Sequence, residues 1–168
     1  MKNGISVFLL ALLLLLSLPA IANDVKEHSK LPLQKALPIL EPIYDDAIRM
    51  GKGTVKVHVF IDPNCPRSRD FVTMISENEK MRSRYSYYFY FYELKRFKSS
   101  DLIKTIYRAK NPLQAMLDVM VYKKELKDPP SSGKEISDKI DRITKAAREL
   151  DVYKRPYLIM IKKPRKRK

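Results

Sequence analysis

Val57-His58-Val59-Phe60-Ile61-Asp62-Pro63-Asn64-Cys65-Pro66-Arg67-Ser68-Arg69-Asp70-Phe71 is the stretch that decides the fold. Residues 54–61 alternate, with Val55, Val57, Val59 and Ile61 on one side. A period of two rich in β-branched side chains predicts a strand. Pro63 and Asn64 break it, and from Pro66 the spacing of Phe71, Val72 and Ile75 predicts a helix with one apolar face. Proline suits a first helical turn because its missing N–H would have no partner there. Cys65 is the only cysteine in the chain and falls at the start of this helix. Unpaired backbone N–H groups and the positive end of the helix dipole favour a thiolate at that position. Arg67 and Arg69 add positive charge, which Asp62 and Asp70 partly oppose.

Residues 84–94 form a second strand, with Tyr85, Tyr87, Phe89 and Phe91 on one side and Tyr88, Tyr90 and Tyr92 on the other. Such a run could stack on bases or sugars, but aromatics on both faces predict a central strand covered from each side. Ser99-Ser100-Asp101 then caps a helix bearing Leu102, Ile103, Ile106 and Tyr107. Asn111-Pro112 starts another, with Met116 and Met120 as core filler. Residues 129–133 read as a loop, and Ile136, Ile140, Ile143, Ala147 and Leu150 recur at helical spacing. After Arg155-Pro156, residues 157–161 make a short apolar strand. Residues 23–53 read as a leader with short helical pieces, in which 41–50 forms one helix stopped by Gly51 and Gly53. The order over 54–161 is strand, helix, strand, two inserted helices, helix, strand. It predicts an α/β domain whose central sheet is covered on both faces.

The ends carry a different kind of information. Lys2, the apolar stretch 5–18 and Ala20-Ile21-Ala22 have the three parts of a secretory signal peptide, which predicts cleavage after Ala22 and a periplasmic location. The apolar run is short for a membrane span, which needs about 20 residues. Removing Lys2 takes the formal charge of +15 to +14. Charge of that size suits nucleic acid, an anionic membrane or an acidic protein. Export argues against nucleic acid as the partner. Six of the last seven residues are basic, so the 162–168 tail is either a solvated end or a site for anionic lipid or an acidic partner.

Two distant segments resemble one family. The first is 57–71, quoted above, which resembles the strand, Asp-Pro-x-Cys-Pro-x-Cys motif and helix of periplasmic disulfide isomerases of the DsbC/DsbG type. The second is Ala147-Arg148-Glu149-Leu150-Asp151-Val152-Tyr153-Lys154-Arg155-Pro156-Tyr157-Leu158-Ile159, similar to the segment where a helix ends, a Thr-Pro follows and a strand begins. The resemblance covers roughly 54–161 and implies a thioredoxin-like fold with a helical insertion between the second strand and the last helix. It also implies a cis proline at Pro156 beside Cys65, with Pro66, Arg67, Arg155 and Pro156 meeting substrate. Three departures stand out: Ser68 replaces the second cysteine, Arg155 the usual threonine, and Asp151 the usual glycine. The dimerisation domain of the isomerases has no room in 23–53.

One thiol limits the chemistry. Cys65 and Ser68 are the candidate catalytic pair: a Cys65 thiolate can attack a disulfide, with Ser68 able to donate a hydrogen bond but not to form a disulfide. Self-contained dithiol oxidation or reduction is excluded, while isomerase-like exchange with exported protein thiols and disulfides remains. The competing expectation is a redox-inactive module that binds an envelope partner, for example in a conjugation or secretion apparatus. A third is a buried, inert Cys65. No cofactor is implied, and no metal, since His28 and His58 lack ligand spacing to Cys65.

Overall fold

The computed structural model describes residues 28, 30–126 and 133–161. The expected signal peptide, most of the 129–133 loop and the basic tail lie outside the described residues. The elements are α1 (Leu33–Leu40), a 3₁₀ turn (Glu41–Asp46), β1 (Ile48–Met50), β2 (Val55–Ile61), α2 (Pro66–Glu77) and α3 (Glu79–Arg84). They continue with β3 (Tyr85–Phe91), a short turn (Lys95–Phe97), α4 (Ser100–Arg108), α5 (Pro112–Met120), α6 (Lys134–Glu149) and β4 (Tyr157–Ile161).

The sheet order is β1-β3-β2-β4, with β2 and β3 parallel in the middle and antiparallel strands at both edges. Every residue of β3 from Tyr87 to Phe91 is buried, so the aromatic run is a central strand and its rings are core. One face carries Val57, Val59, Tyr87 and Phe89 beneath α2, where Phe71 meets Tyr87 edge-on at 6.3 Å. The other carries His58, Phe60, Tyr88 and Tyr90 beneath the 41–46 turn, whose Tyr44 ring lies 4.7 Å from Tyr88. Phe60, Phe89, Phe91 and Tyr90 are fully buried. Each contributes roughly 2–3 kcal/mol by leaving water.

The reading of 41–50 as one helix is corrected. The turn ends at Asp46 and the chain then enters β1, which pairs with β3 through Ile48↔Phe89 and Met50↔Tyr87. Gly51 and Gly53 serve the crossing from β1 to β2. Gly51 has φ +88°, and a Cβ on Gly53 would lie 1.9 Å from the backbone of Arg84. The segment is fastened to α6 as well, since Arg142 makes two 2.8 Å bonds to the carboxylate of the buried Asp46. The sheet and core therefore begin N-terminal to residue 54.

The later elements follow the sequence closely. Asn111 caps α5 by accepting the Gln114 N–H, as its place before Pro112 predicts. The helix expected around Ile136 to Leu150 is α6. It ends on Asp151 at φ +48° in the left-handed region. Glycine favours that conformation, and Asp tolerates it better than most side chains. The glycine-to-Asp151 departure is thus accommodated by the backbone.

His58 makes the fold sensitive to acid. It is 1% exposed, its Nδ1 lies 3.0 Å from Tyr90 Oη, and its Nε2 has no partner among the described residues. Burial, reinforced by Lys56, pulls its pKa from 6.5 down to about 4. Between those values the unfolded chain takes up a proton that folded His58 refuses, so stability falls as pH drops from 6.5 towards 4. The loss amounts to about 3 kcal/mol. Urea midpoints from pH 7 to pH 4 should show this sag in the wild type, and His58→Phe should flatten it.

Candidate functional site

The site forms where β2 ends. Asp62 is fully buried and works through both main chain and side chain. Its Oδ1 accepts the Asn64 N–H at 2.8 Å, and its Oδ2 accepts the Leu94 N–H at 2.6 Å and the Ser99 hydroxyl at 2.9 Å. Its carbonyl accepts the Cys65 N–H at 3.1 Å. Asn64 also donates to the Phe97 carbonyl, and Arg69 donates to the Pro63 carbonyl at 2.6 Å and to Asn64 Oδ1. The chain before the cysteine is consequently held from both sides.

Cys65 is the N-cap residue of α2, with extended backbone, and its carbonyl accepts the Arg69 N–H. It is 4% exposed. Ser68, one turn along, is fully buried, and its oxygen accepts the Asp62 N–H at 3.3 Å. The hydroxyl thus serves as an acceptor for the strand end. Pro66 and Arg67 are exposed beside the thiol.

Across from them lies the approach to β4. The Arg155–Pro156 bond is cis. The Phe60↔Tyr157 pairing places Pro156 and Arg155 alongside the end of β2. Pro156 is half-buried, while Arg155 is 5% exposed with its side chain turned inward. Its guanidinium donates to the carbonyls of Tyr92 (2.9 Å), Val152 (3.1 Å), Lys154 (3.0 Å) and Glu93 (3.5 Å) and stacks 4.1 Å from the Tyr92 ring. Burial lowers its pKa from the ordinary arginine value, against opposing pulls from Tyr92, Asp62 and Cys65. A fixed cation therefore sits within the electrostatic reach of the thiol and the buried carboxylate.

Of the residues picked out by sequence, the structure brings Cys65, Pro66, Arg67, Ser68, Arg155 and Pro156 to one end of the sheet. It adds two that sequence reasoning did not assign. Asp62 had a local signal, since Asp-Pro-Asn after a strand is a turn in which the Asp side chain takes the N–H two residues on. Ser99 was read as a helix cap. Its hydroxyl goes to Asp62 instead, while Glu93 takes the Ser100 N–H and hydroxyl.

This arrangement is a thioredoxin-like fold, and solved structures share it. The chain resembles Proteus mirabilis ScsC in a transitional conformation, with TM-score 0.61 and 13% identity over 92% of this chain and 79% of that one. A disulfide interchange protein from Neisseria gonorrhoeae matches with TM-score 0.50 and 17% identity, covering 69% and 80%. A periplasmic thioredoxin-like protein from Salmonella enterica serovar Typhimurium gives 0.53 and 12%, covering 79% and 86%. No protein-family model matches the sequence, and no curated protein does.

Asp62→Ala would strip a buried hydroxyl and two N–H groups of their acceptor. Urea unfolding should show a loss of about 4 kcal/mol or more, whereas Ser99→Ala, which removes one bond, should cost about 1 kcal/mol.

Proposed function

We propose that this chain takes part in thiol–disulfide exchange through Cys65 alone, outside the cytoplasm. The observation that carries the reading is the placement of the one thiol. Cys65 stands at the N-cap of a twelve-residue helix, at the same end of the sheet as the cis Arg155–Pro156 bond and within electrostatic reach of a buried guanidinium. In such exchange the thiolate is the attacking species. The names of the structures that share the fold support the reading: one is a disulfide interchange protein and another a periplasmic thioredoxin-like protein. The three-part N-terminal signal agrees with export.

Thiolate attack on a partner disulfide forms a mixed disulfide and releases the partner's second sulfur. In a dithiol site a second cysteine would then attack the mixed bond. Ser68 cannot, so Cys65 is freed only by the partner's own thiol or by a small external one. The outcome is isomerase-like exchange or a covalent tether. The exposed Pro66 and Arg67 and the half-buried Pro156 are the surfaces a partner would meet.

The low exposure of Cys65 favours a second reading, in which the same end of the sheet binds an envelope partner and the thiol is inert. Trapping separates the two. Alkylation after acid quench of exported protein should reveal mixed disulfides with the wild type that vanish in Cys65→Ser. A wild type that captures no more than Cys65→Ser would leave only the binding module.

Ser68→Cys supplies the missing step. The introduced thiol should form an internal disulfide with Cys65 under oxidising conditions, shorten the life of trapped adducts and give catalytic turnover of a model disulfide with excess reductant. Mass spectrometry of the oxidised variant checks the first point.

A further inference from the structure

Three chain segments converge around Cys65: residues 62–69, the loop 92–99 after β3, and the 151–156 turn before β4. Loop 92–99 is fastened to the first segment by Asn64 Nδ2 to the Phe97 carbonyl (3.2 Å) and by the Leu94 N–H to Asp62 (2.6 Å). It is fastened to the third by Arg155, which donates to the carbonyls of Tyr92 and Glu93. Along these segments stand Arg67, Lys95, Arg96, Lys98 and Lys154, all exposed. None of the five is in an ion pair among the described residues.

The nearby carboxylates are mostly occupied. Asp62 is buried under three donors, and Glu93 gives both oxygens to Ser100. Asp101 faces Lys104, and Asp151 faces His28 at 2.7 Å. Asp70, one helical turn beyond Arg67, and Glu93 and Asp101, whose bonds leave part of their charge exposed, oppose the five without matching them in number. Like charges gathered at one end of a fold repel each other, and an anionic partner relieves that repulsion on binding. The five lie on the three segments that meet near Cys65, so a partner approaching the thiol meets their charge.

We propose that this cationic rim selects the partner of Cys65: an acidic polypeptide segment with Asp or Glu flanking the sulfur under attack. The proposal rests on the exchange reading and gives it a substrate class. In the bonding step the Cys65 thiolate attacks one sulfur of the partner's disulfide. The new S–S bond forms as the old one breaks, and the second partner sulfur leaves as a thiolate that takes a proton from water. No external oxidant enters.

Three peptides of equal length, each with one cysteine joined by a disulfide to 2-mercaptoethanol and flanked by Glu, Gln or Lys, provide the test. Loss of the free Cys65 thiol of the full chain is followed at low and high salt. The Glu peptide should react at least about tenfold faster than the Lys peptide at low salt, where charges act over about 30 Å. The difference should collapse near 1 M salt, where that range is about 3 Å. The triple charge reversal Lys95→Glu, Arg96→Glu, Lys98→Glu should invert the order. If that variant does not fold, the wild-type salt series still decides.

Equal rates with all three peptides overturn the acidic partner and leave exchange standing. Exchange with none of them overturns the exchange reading. Equilibrium binding of fluorescent Glu and Lys peptides to Cys65→Ser then judges the rim by itself, and equal or absent binding overturns the proposal. Binding to phosphatidylserine vesicles, abolished by the charge reversal with no preference among peptides, would assign the rim to a membrane surface and overturn it too.

Discussion

The buried carboxylate of Asp62 is the constraint on which this end of the molecule depends. A carboxylate removed from water costs several kcal/mol unless donors replace its hydration. Here the replacements come from the Asn64 N–H, the Leu94 N–H and the Ser99 hydroxyl, with Arg155 as the neighbouring cation. These groups belong to the turn after β2, the loop after β3, the start of α4 and the approach to β4. Once Asp62 is buried, the first three cannot move apart without stripping it of donors, and the fourth is held to the loop after β3 by the bonds of Arg155 to the Tyr92 and Glu93 carbonyls. The Cys65 loop therefore has one conformation on which chemistry can rely.

Ser68 belongs to the same network. Its fully buried oxygen takes the Asp62 N–H and so helps close the strand end onto the first turn of α2. A hydroxyl there meets the structural demand without any redox capacity. Arg155 departs in a complementary way. It brings a permanent positive charge into the interior, where four carbonyls and the Tyr92 ring satisfy it. In the exchange reading, the Ser68 departure removes the group that would release a bound partner.

What could be read from the sequence was what repeats. The alternation of 55–61, the two-sided aromatic run of β3 and the apolar spacing of α6 each recur often enough to identify their element. β1 has only three residues, too few for a period, and it follows a turn whose composition suits a helix. Its strand character comes from pairing with β3, which no local window contains. The inward turn of Arg155 was hidden for a related reason. Arginine is ordinarily exposed, and its burial needs acceptors from residues 92 and 93 as well as 152 and 154. Asp62 lay between these cases: its turn with Asn64 is local, but its partners Leu94 and Ser99 lie 32 and 37 residues away.

Charge at this site is therefore arranged in two layers with different physics. The inner layer, Asp62 with Arg155, is screened little by salt and is fixed by folding. The outer layer of Arg67, Lys95, Arg96, Lys98 and Lys154 is hydrated, and added salt weakens it. In the exchange reading, the first layer holds the Cys65 loop in place and the second is what a partner meets. In that reading, a chain that cannot resolve its own mixed disulfide has particular need of the division. Once the bond to Cys65 forms, release depends on the partner's thiols, so discrimination must act before the bond is made. The exposed rim, beside a thiol that is itself 4% exposed, is where in that reading an approaching partner is first met.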